Sequence, residues 1–259
     1  MNIGIIGAGA IAQFLMEEIQ KDTETDLSVQ SLLVRDTNKY ATLRETFGID
    51  LFDEVDAFLD SDIDIVVEAA NIEAVKSLVP HTLEKKDVVV ISIGALADKT
   101  FSETVYSTAE TFHRSVYLPS GAIGGIDLIQ NASSLGEVEK VSLTTRKPAH
   151  SLGEPGITEE KVIFHGPASD AIEKFPKNIN VSIILSLAGK GIRETEVTII
   201  ADPNADKNEH AIKAIGDFGT FTATIENNPL PSNPKTSYLA ALSILGTLKK
   251  VKSPLRIGT

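Results

Sequence analysis

The first 120 residues alternate between short apolar runs and longer segments whose apolar residues recur at helical spacing. The apolar runs predict strands at 2–7, 28–36, 63–70, 87–96 and 115–121. The longer segments predict helices at 8–22, 38–48 ending at Gly48, 71–86 with a kink at Pro80, and 99–113. Because strands that are apolar on both faces alternate with amphipathic helices, we predict an α/β fold here, a Rossmann-type doubly wound parallel sheet.

After Gly121 the strands acquire one polar face. We predict strands at 137–150, 161–166, 194–203 and 219–227, and helices at 167–175 and 180–191. The period of "EHAIKAIG" at 209–216 is ambiguous, and we favour a strand that forms a hairpin with 219–227. Residues 121–235 therefore predict a smaller α+β domain with a largely antiparallel sheet. The tail predicts a helix within 236–259, with Thr236 or Ser237 as its N-cap, that packs back on domain 1–120.

Composition narrows the possible partners. A formal charge of −12 and an isoelectric point near 4.9 argue against nucleic acid and against an anionic membrane surface. Cysteine is absent, which excludes thiolate chemistry, and we expect no metal site. No apolar run approaches the roughly 18 residues of a membrane span. The N-terminus has no export signal, so we expect a cytoplasmic protein that binds a small molecule.

The turn after the first strand reads Gly7-Ala8-Gly9-Ala10-Ile11-Ala12, a G-x-G-x-x-A pattern. Between a strand and a helix this pattern is typical of dinucleotide binding, since amides at the helix N-terminus bind the pyrophosphate. We predict a nicotinamide cofactor that contacts Gly7, Gly9, Ala10 and Ile11. Ala70, at the end of the third strand, is a further expected contact. The alternative is a glycine turn without a ligand.

The choice between NAD and NADP depends on the end of the second strand, "LLVRD". Asp36 at the strand tip would accept a hydrogen bond from the ribose 2′-hydroxyl and favour NAD. If the tip is Val34 or Arg35, the guanidinium could pair with the 2′-phosphate of NADP. A plain surface pair of Arg35 and Asp36 is the third possibility. We expect that both cofactors are accepted.

Four further segments carry a family resemblance. They are "LPSGAIGGID" (118–127), "FPKNINVSIILSLAG" (175–189), "VTIIADPNADKNEH" (197–210) and "IENNPLPSNPKTS" (225–237). Together they resemble the aspartate dehydrogenase family, two-domain NAD(P)-dependent oxidoreductases that interconvert L-aspartate and iminoaspartate. The resemblance implies that His210 is catalytic and that Ala122 and Asn180 contact the nicotinamide side of the cofactor. It also implies the reverse reaction, from oxaloacetate and ammonia, and a role in NAD biosynthesis.

The chemistry suits a histidine in this position. Oxidising an amino acid requires a neutral nitrogen, and a base whose pKa lies near the working pH can take up its proton or activate the water that hydrolyses the imine. We expect His210 to lie in the polar loop after "ADP". The other four histidines, at 81, 113, 150 and 165, are expected to be structural or solvated.

The two carboxylates of aspartate require cations or amide donors. Candidate cations in the second domain are Arg146, Lys147, Lys177 and Lys235, of which Lys177 and Lys235 are the first choices. Each of them could equally be a solvated surface charge. Thr236 and Asn178 are further substrate-binding candidates, although both suit a helix cap or a turn. Asn180 could likewise cap its helix, and Gly121, Gly124 and Gly125 could form only a flexible interdomain turn.

Two other functions compete with this hypothesis. One is a related amino-acid or oxo-acid oxidoreductase, such as a dihydrodipicolinate reductase or a homoserine dehydrogenase. The other is a dinucleotide-binding sensor without turnover. The tail helix and the one-sided second sheet also lead us to expect a homodimer formed by the second domain.

Overall fold

The computed structural model describes residues 1–175, 180–255 and 257, with the backbone alone for Pro234 and Lys235. The chain divides into two units, one formed by Met1–Pro119 with Ile244–Leu255, the other by Ser120–Ser243. Within the described residues, no helix is both long and apolar enough to cross a bilayer.

The first unit is built on a parallel sheet. Its strands are β1 (Asn2–Ile6), β2 (Ser28–Leu33), β3 (Asp50–Phe52), β4 (Ile65–Glu68), β5 (Asp87–Val90) and β6 (Val116–Tyr117). Its helices are α1 (Ala10–Lys21), α2 (Ala41–Phe47), α3 (Val55–Leu59), α4 (Ile72–Lys85) and α5 (Lys99–Thr111). The strand order is β3-β2-β1-β4-β5-β6, and every neighbouring pair is parallel. The predicted Rossmann-type doubly wound sheet is confirmed.

The chain order reverses between β1 and β4, which are neighbours in this sheet. Their side chains form the centre of the core, and Ile3, Ile5, Val66 and Val67 have no exposed surface. In doubly wound sheets, ligands bind beyond the carboxyl ends of the strands at such a reversal. The glycine turn follows β1 and the Ala69–Ala70 segment follows β4, so both lie at this edge.

Some bounds in the first unit differ from the prediction. The strand expected at 87–96 ends at Val90, because the amides of Ile91 and Ser92 donate to the Glu68 carboxylate instead of a neighbouring strand. A 3₁₀ turn, Ile93–Ala97, follows it. The strand expected at 115–121 is only β6. The sequence did not predict β3 and α3, which are 3 and 5 residues long, because elements this short carry little periodicity.

The second unit contains a mixed sheet with helices. Its strands are β7 (Val138–Pro148), β8 (Lys161–Pro167), β9 (Thr195–Asp202), β10 (Asn208–Gly216), β11 (Gly219–Asn227), β12 (Pro229–Leu230) and β13 (Asn233–Ser237). Its helices are α6 (Ile126–Ser133), α7 (Ala168–Lys174) and α8 (Asn180–Ala188). The main sheet has the order β11-β10-β7-β9-β8, and only the pair β7–β9 is parallel. The predicted α+β unit with a largely antiparallel sheet is confirmed.

The tail helix, α9 (Tyr238–Lys252), begins directly after Ser237, the second of the two expected N-cap residues, and both Thr236 and Ser237 belong to β13. From Ile244 onwards its residues belong to the first unit. There Ile244 and Leu248 are buried, and Lys249 Nζ donates to Asp22 Oδ2 at 2.6 Å.

The sequence places His210 in a polar loop, and this is wrong. The other expectation for this region, a strand at 209–216, is confirmed, and His210 is the third residue of that strand, β10. His210, Ile212 and Ala214 are buried while the residues between them are more exposed. The imidazole therefore lies on the same face of β10 as the core residues.

Candidate functional site

Gly7 is required by the fold itself. Its φ of +99° lies in a region that side-chain-bearing residues rarely adopt. A Cβ at Gly7 would also lie 2.9 Å from the Ala69 carbonyl oxygen and 3.0 Å from the Ala70 Cβ. The turn after β1 therefore packs directly against the Ala69–Ala70 segment after β4.

Gly9 is different, because the protein itself does not require a glycine there. Its φ of −75° is available to any residue, and the nearest atom to a Cβ at this position would be the Ala69 carbonyl oxygen at 4.0 Å. Gly9 is exposed and caps α1 without a side-chain hydrogen bond. Its missing side chain leaves the amides at the N-terminus of α1, where Ala10 and Ile11 lie, open to a phosphate group. These residues fit the pyrophosphate of a dinucleotide.

The segment after β2 is the one expected to contact the ribose of the cofactor. The strand ends at Leu33, Val34 is buried, and Arg35 and Asp36 are both exposed. Asp36 Oδ1 accepts hydrogen bonds from the amides of Asn38 and Lys39, at 3.0 and 3.3 Å. One oxygen of Asp36 thus stabilises the following turn, while Arg35 points its charge into solvent.

In the second unit, His210 lies opposite Thr145 in the pairing of β10 with β7. The Thr145 Oγ1 and the His210 Nδ1 are 3.0 Å apart, and the exposed fractions of the two residues are 5% and 4%. This hydrogen bond fixes the ring orientation, with Nδ1–H donating to the hydroxyl in one tautomer and Nδ1 accepting from it in the other. The sequence offered no signal for Thr145, which is one of two consecutive threonines.

Lys147 completes this group, because residues two apart in a strand share a face and Lys147 follows Thr145 on β7. Burial lowers the pKa of Lys147 from its ordinary 10.5 to about 8. Burial, and secondly the charge of Lys147, lower the pKa of His210 to about 3. At neutral pH the site therefore holds a neutral imidazole beside an ammonium group that few water molecules reach. Such a cation suits an anionic ligand.

Arg146 lies on the opposite face of β7 and is held by carboxylates. Its Nη1 donates to Asp202 Oδ2 at 3.0 Å and pairs with Glu160, and its Nε lies 3.8 Å from Glu209 Oε1. The Glu160 carboxylate, and after it Asp202, raise the pKa of Arg146, partly offset by burial. This network joins the ends of β7, β9 and β10 behind the group of Thr145, Lys147 and His210.

The Ala122 segment is anchored by Asn227, which the sequence did not single out, and by Ser237, which the sequence singled out as a possible helix cap. Asn227 Nδ2 donates to the Ala122 carbonyl at 3.1 Å, and Ser237 Oγ donates to Asn227 Oδ1 at 2.6 Å. All three residues are buried. Gly125, with φ +72°, has its Cβ position filled by the Phe221 ring, so packing accounts for that glycine.

The remaining predicted residues are less informative. Lys177 and Asn178 lie outside the described residues, as does the side chain of Lys235. Thr236 Oγ1 accepts from Asn233 Nδ2 at 3.1 Å. Asn180 is exposed at the start of α8. Among the described residues, no group of three or more His, Asp or Glu side chains is placed to hold a metal ion.

Comparisons with known proteins identify the family. The family described as "Aspartate dehydrogenase, C-terminal" matches residues 127–251. The L-aspartate dehydrogenase of Methanococcus maripaludis strain S2 is 41% identical over 100% of both chains. That of Methanocaldococcus jannaschii is 38% identical with the same coverage. This chain belongs to the aspartate dehydrogenase family.

The solved structures place this family member in the same fold. The crystal structure of aspartate dehydrogenase from Thermotoga maritima has a TM-score of 0.80 and 31% identity, and each chain covers 99% of the other. The family described as "Homoserine dehydrogenase, NAD binding domain" matches residues 7–119. The protein is thus a dehydrogenase with a nicotinamide dinucleotide-binding domain, which contradicts the sensor hypothesis.

Proposed function

We propose that this protein catalyses the NAD(P)-dependent oxidative deamination of L-aspartate to iminoaspartate, and the reverse reductive amination of oxaloacetate with ammonia. The observation that carries this proposal is the group formed by buried His210 and Thr145 with partly buried Lys147 on one face of the second sheet. Full-length relatives named L-aspartate dehydrogenase support it.

Lys147 binds a carboxylate of the substrate. Of the four cations weighed from the sequence, Arg146 is already paired with three carboxylates. Lys147 lies on the His210 face, where partial burial lowers its pKa to about 8, so an anionic ligand beside its ammonium group is favourable. A dicarboxylate substrate supplies that anion. Lys177, Asn178, Lys235 and Thr236 are proposed to contact the rest of the substrate.

His210 is the proton acceptor. When Nδ1–H donates to Thr145 Oγ1, Nε2 is left with a lone pair that can take a proton from the substrate ammonium. The expectation from the sequence of a base whose pKa lies near the working pH is wrong for the protein without substrate, because burial lowers the pKa of His210 to about 3 and makes this nitrogen a weak base. A substrate carboxylate beside Lys147 offsets the positive charge that lowers this pKa. The pKa of His210 therefore rises when the substrate binds, while burial, the larger cause of its lowering, remains.

The glycine turn holds the cofactor, which supplies the hydride acceptor when it is bound. Gly9, Ala10 and Ile11 hold the pyrophosphate through backbone amides. Gly7, expected from the sequence as a further contact, donates its amide to the Leu33 carbonyl at 2.9 Å and contributes the shape of the turn instead. Arg35 pairs with a 2′-phosphate and the second oxygen of Asp36 accepts from a 2′-hydroxyl, so both NADP and NAD are used. Ala70, Ala122 and Asn180 are the proposed contacts on the nicotinamide side.

Two further properties belong to the proposal. The iminoaspartate product feeds NAD biosynthesis, and the chain forms a homodimer through its second unit. The dimer is supported by the sheet of that unit. The odd-numbered residues of β7 face the helices on one side of it, since Val141 lies close to Gly189, which follows α8. The other face is only partly buried. A monomeric mass by light scattering would contradict the dimer.

The test is to mix the full chain with L-aspartate and NAD, then NADP, and to follow reduced-nicotinamide absorbance. His210→Ala is expected to reduce the rate by about 10²–10⁴-fold, the range for a lost general base. His150→Ala, at an exposed position, is the matched control. Tight dinucleotide binding without aspartate-dependent reduction would contradict the substrate assignment.

A further inference from the structure

Glu68 is a buried carboxylate that the reaction does not use. It is the last residue of β4, follows three apolar residues in that strand, and has no exposed surface. An acidic side chain is rarely this buried unless its oxygens are fully hydrogen-bonded. An acidic residue ending the apolar run "IVVE" was the signal available in the sequence.

Both carboxylate oxygens of Glu68 accept hydrogen bonds from the two neighbouring loops. Oε1 accepts from the Ala70 amide and the Ser92 hydroxyl, each at 2.9 Å. Oε2 accepts from the amides of Ile91 and Ser92, at 3.2 and 2.9 Å. The side chain thus joins the segment after β4 to the segment after β5.

The segment after β4 is also the wall of the glycine turn. A Cβ at Gly7 would lie 2.9 Å from the Ala69 carbonyl oxygen, which is closer than van der Waals contact, and the Ala69 amide donates to the Ile6 carbonyl at 2.9 Å. A shift of this segment would therefore move the turn or leave it unsupported. Hydrogen bonds that lock the supports of a binding group are a general requirement for its geometry.

We propose that Glu68 is a positioning residue of the cofactor site. Its carboxylate holds the Ala69–Ala70 wall against the glycine turn and ties it to Ile91–Ser92, so that the amides at the start of α1 are preorganised for a dinucleotide. Glu68 acts through the backbone of these segments and does not need to touch the cofactor. The inference rests on the dinucleotide-binding part of the proposed function and concerns the affinity of that site.

The experiment measures the affinity of the full chain for NADH and NADPH by calorimetry, well below the melting temperature. Glu68→Gln keeps the size of the side chain but replaces one acceptor oxygen with an NH₂ group. That NH₂ group then faces hydrogen-bond donors that it cannot satisfy. We expect its dissociation constants to rise about ten- to hundredfold. Amide hydrogen exchange at Ala70, Ile91 and Ser92 should accelerate. If Glu68→Gln does not fold, Ser92→Ala removes one hydrogen bond and is expected to weaken binding severalfold.

Two controls separate positioning from stability. Leu83→Ala creates a cavity at the far end of α4, where Leu83 has no exposed surface, and lowers the melting temperature without touching these segments. Glu45→Gln removes an exposed carboxylate. The proposal is overturned if Glu68→Gln binds NADH and NADPH as tightly as wild type, or if Leu83→Ala loses as much dinucleotide affinity as Glu68→Gln. A wild-type chain that binds neither dinucleotide overturns it together with the cofactor assignment. Binding without aspartate turnover contradicts only the proposed reaction.

Discussion

The Thr145 hydroxyl lies 3.0 Å from Nδ1 of His210, and the two residues face each other across β7 and β10. A threonine in this position fixes the ring through a rigid β-branched side chain held by two paired strands. The imidazole can therefore present Nε2 in one direction. This geometry leads to a first prediction about the hydroxyl itself.

Thr145→Val keeps the shape of the side chain and removes the hydrogen bond. We expect kcat to fall about ten- to hundredfold, because the ring loses the hydrogen bond that holds its orientation, while KM for aspartate changes little. Steady-state kinetics measures both constants. Thr145→Ser should restore most of kcat, and a KM effect without a kcat effect would contradict a positioning role.

Lys147 should give substrate binding a pH dependence. Its ammonium group loses its proton as the pH rises through about 8, so a dicarboxylate should bind more weakly above that pH. Succinate is the appropriate probe, since it has no amino group of its own. Its inhibition constant against aspartate should rise between pH 7 and 9 in wild type. The rise should be absent in both Lys147→Arg and Lys147→Met. Lys147→Met should in addition bind succinate weakly at every pH.

Lys147→Met should also stabilise the protein. The folded pKa is depressed, so below about pH 8 the folded chain keeps a buried charge that the unfolded chain solvates freely. Removing the charge should raise the free energy of unfolding by up to about 3 kcal/mol at neutral pH. Urea titration measures this gain. A stabilised variant that binds substrate poorly is the expected mark of a functional residue, and lower stability would contradict the burial argument.

The two glycines of the turn should respond differently to alanine. Gly7→Ala should lower the melting temperature, because φ is positive and the Ala69 oxygen lies 2.9 Å from the new Cβ. Gly9→Ala should fold like wild type and weaken NADH binding by about tenfold or more, because its methyl group occupies the approach of the pyrophosphate. Melting curves and calorimetry distinguish the two. Unchanged NADH affinity in Gly9→Ala would contradict the cofactor site.

Arg35 should affect one cofactor only. Arg35→Ala is expected to raise KM for NADP about tenfold, because an exposed guanidinium contributes a modest charge-assisted hydrogen bond to a 2′-phosphate. KM for NAD should stay within about twofold. The variant is compared with Arg44→Ala, an exposed arginine on α2. Equal effects on NAD and NADP would argue that Arg35 does not read the phosphate.

Buried His210 should make the protein sensitive to acid. Its folded pKa of about 3 lies below the ordinary 6.5, so the unfolded chain binds more protons between these values. Stability therefore falls as the pH is lowered from 6.5 towards 3. His210→Leu should lose less free energy of unfolding between pH 7 and 4, as followed by urea titration. Exposed His150→Leu is the control and should behave like wild type.

Much of this architecture was predictable because it depends on local periodicity. Runs such as "IDIVVEAA" and the glycine pattern before α1 are short-range signals, and the parallel sheet follows from their alternation. The identity of the family followed from four separated segments, including those that hold Ala122 and His210. The second strand arm, "GTFTATIEN", likewise predicted its hairpin with β10.

The environment of each side chain depends on partners far along the chain, and periodicity contains no information about them. The sequence indicated that His210 matters but placed it in a solvated loop, whereas the pairing of β10 with β7 buries it against a threonine 65 positions away. Arg146 and Lys147 are adjacent in sequence, yet the alternation of β7 sends one to three carboxylates and the other to the imidazole. Glu68 joins two loops because parallel strands bring their carboxyl ends to one edge of the sheet. Local patterns thus determined the elements and the family, while long-range pairing determined burial, charge and hydrogen-bond partners.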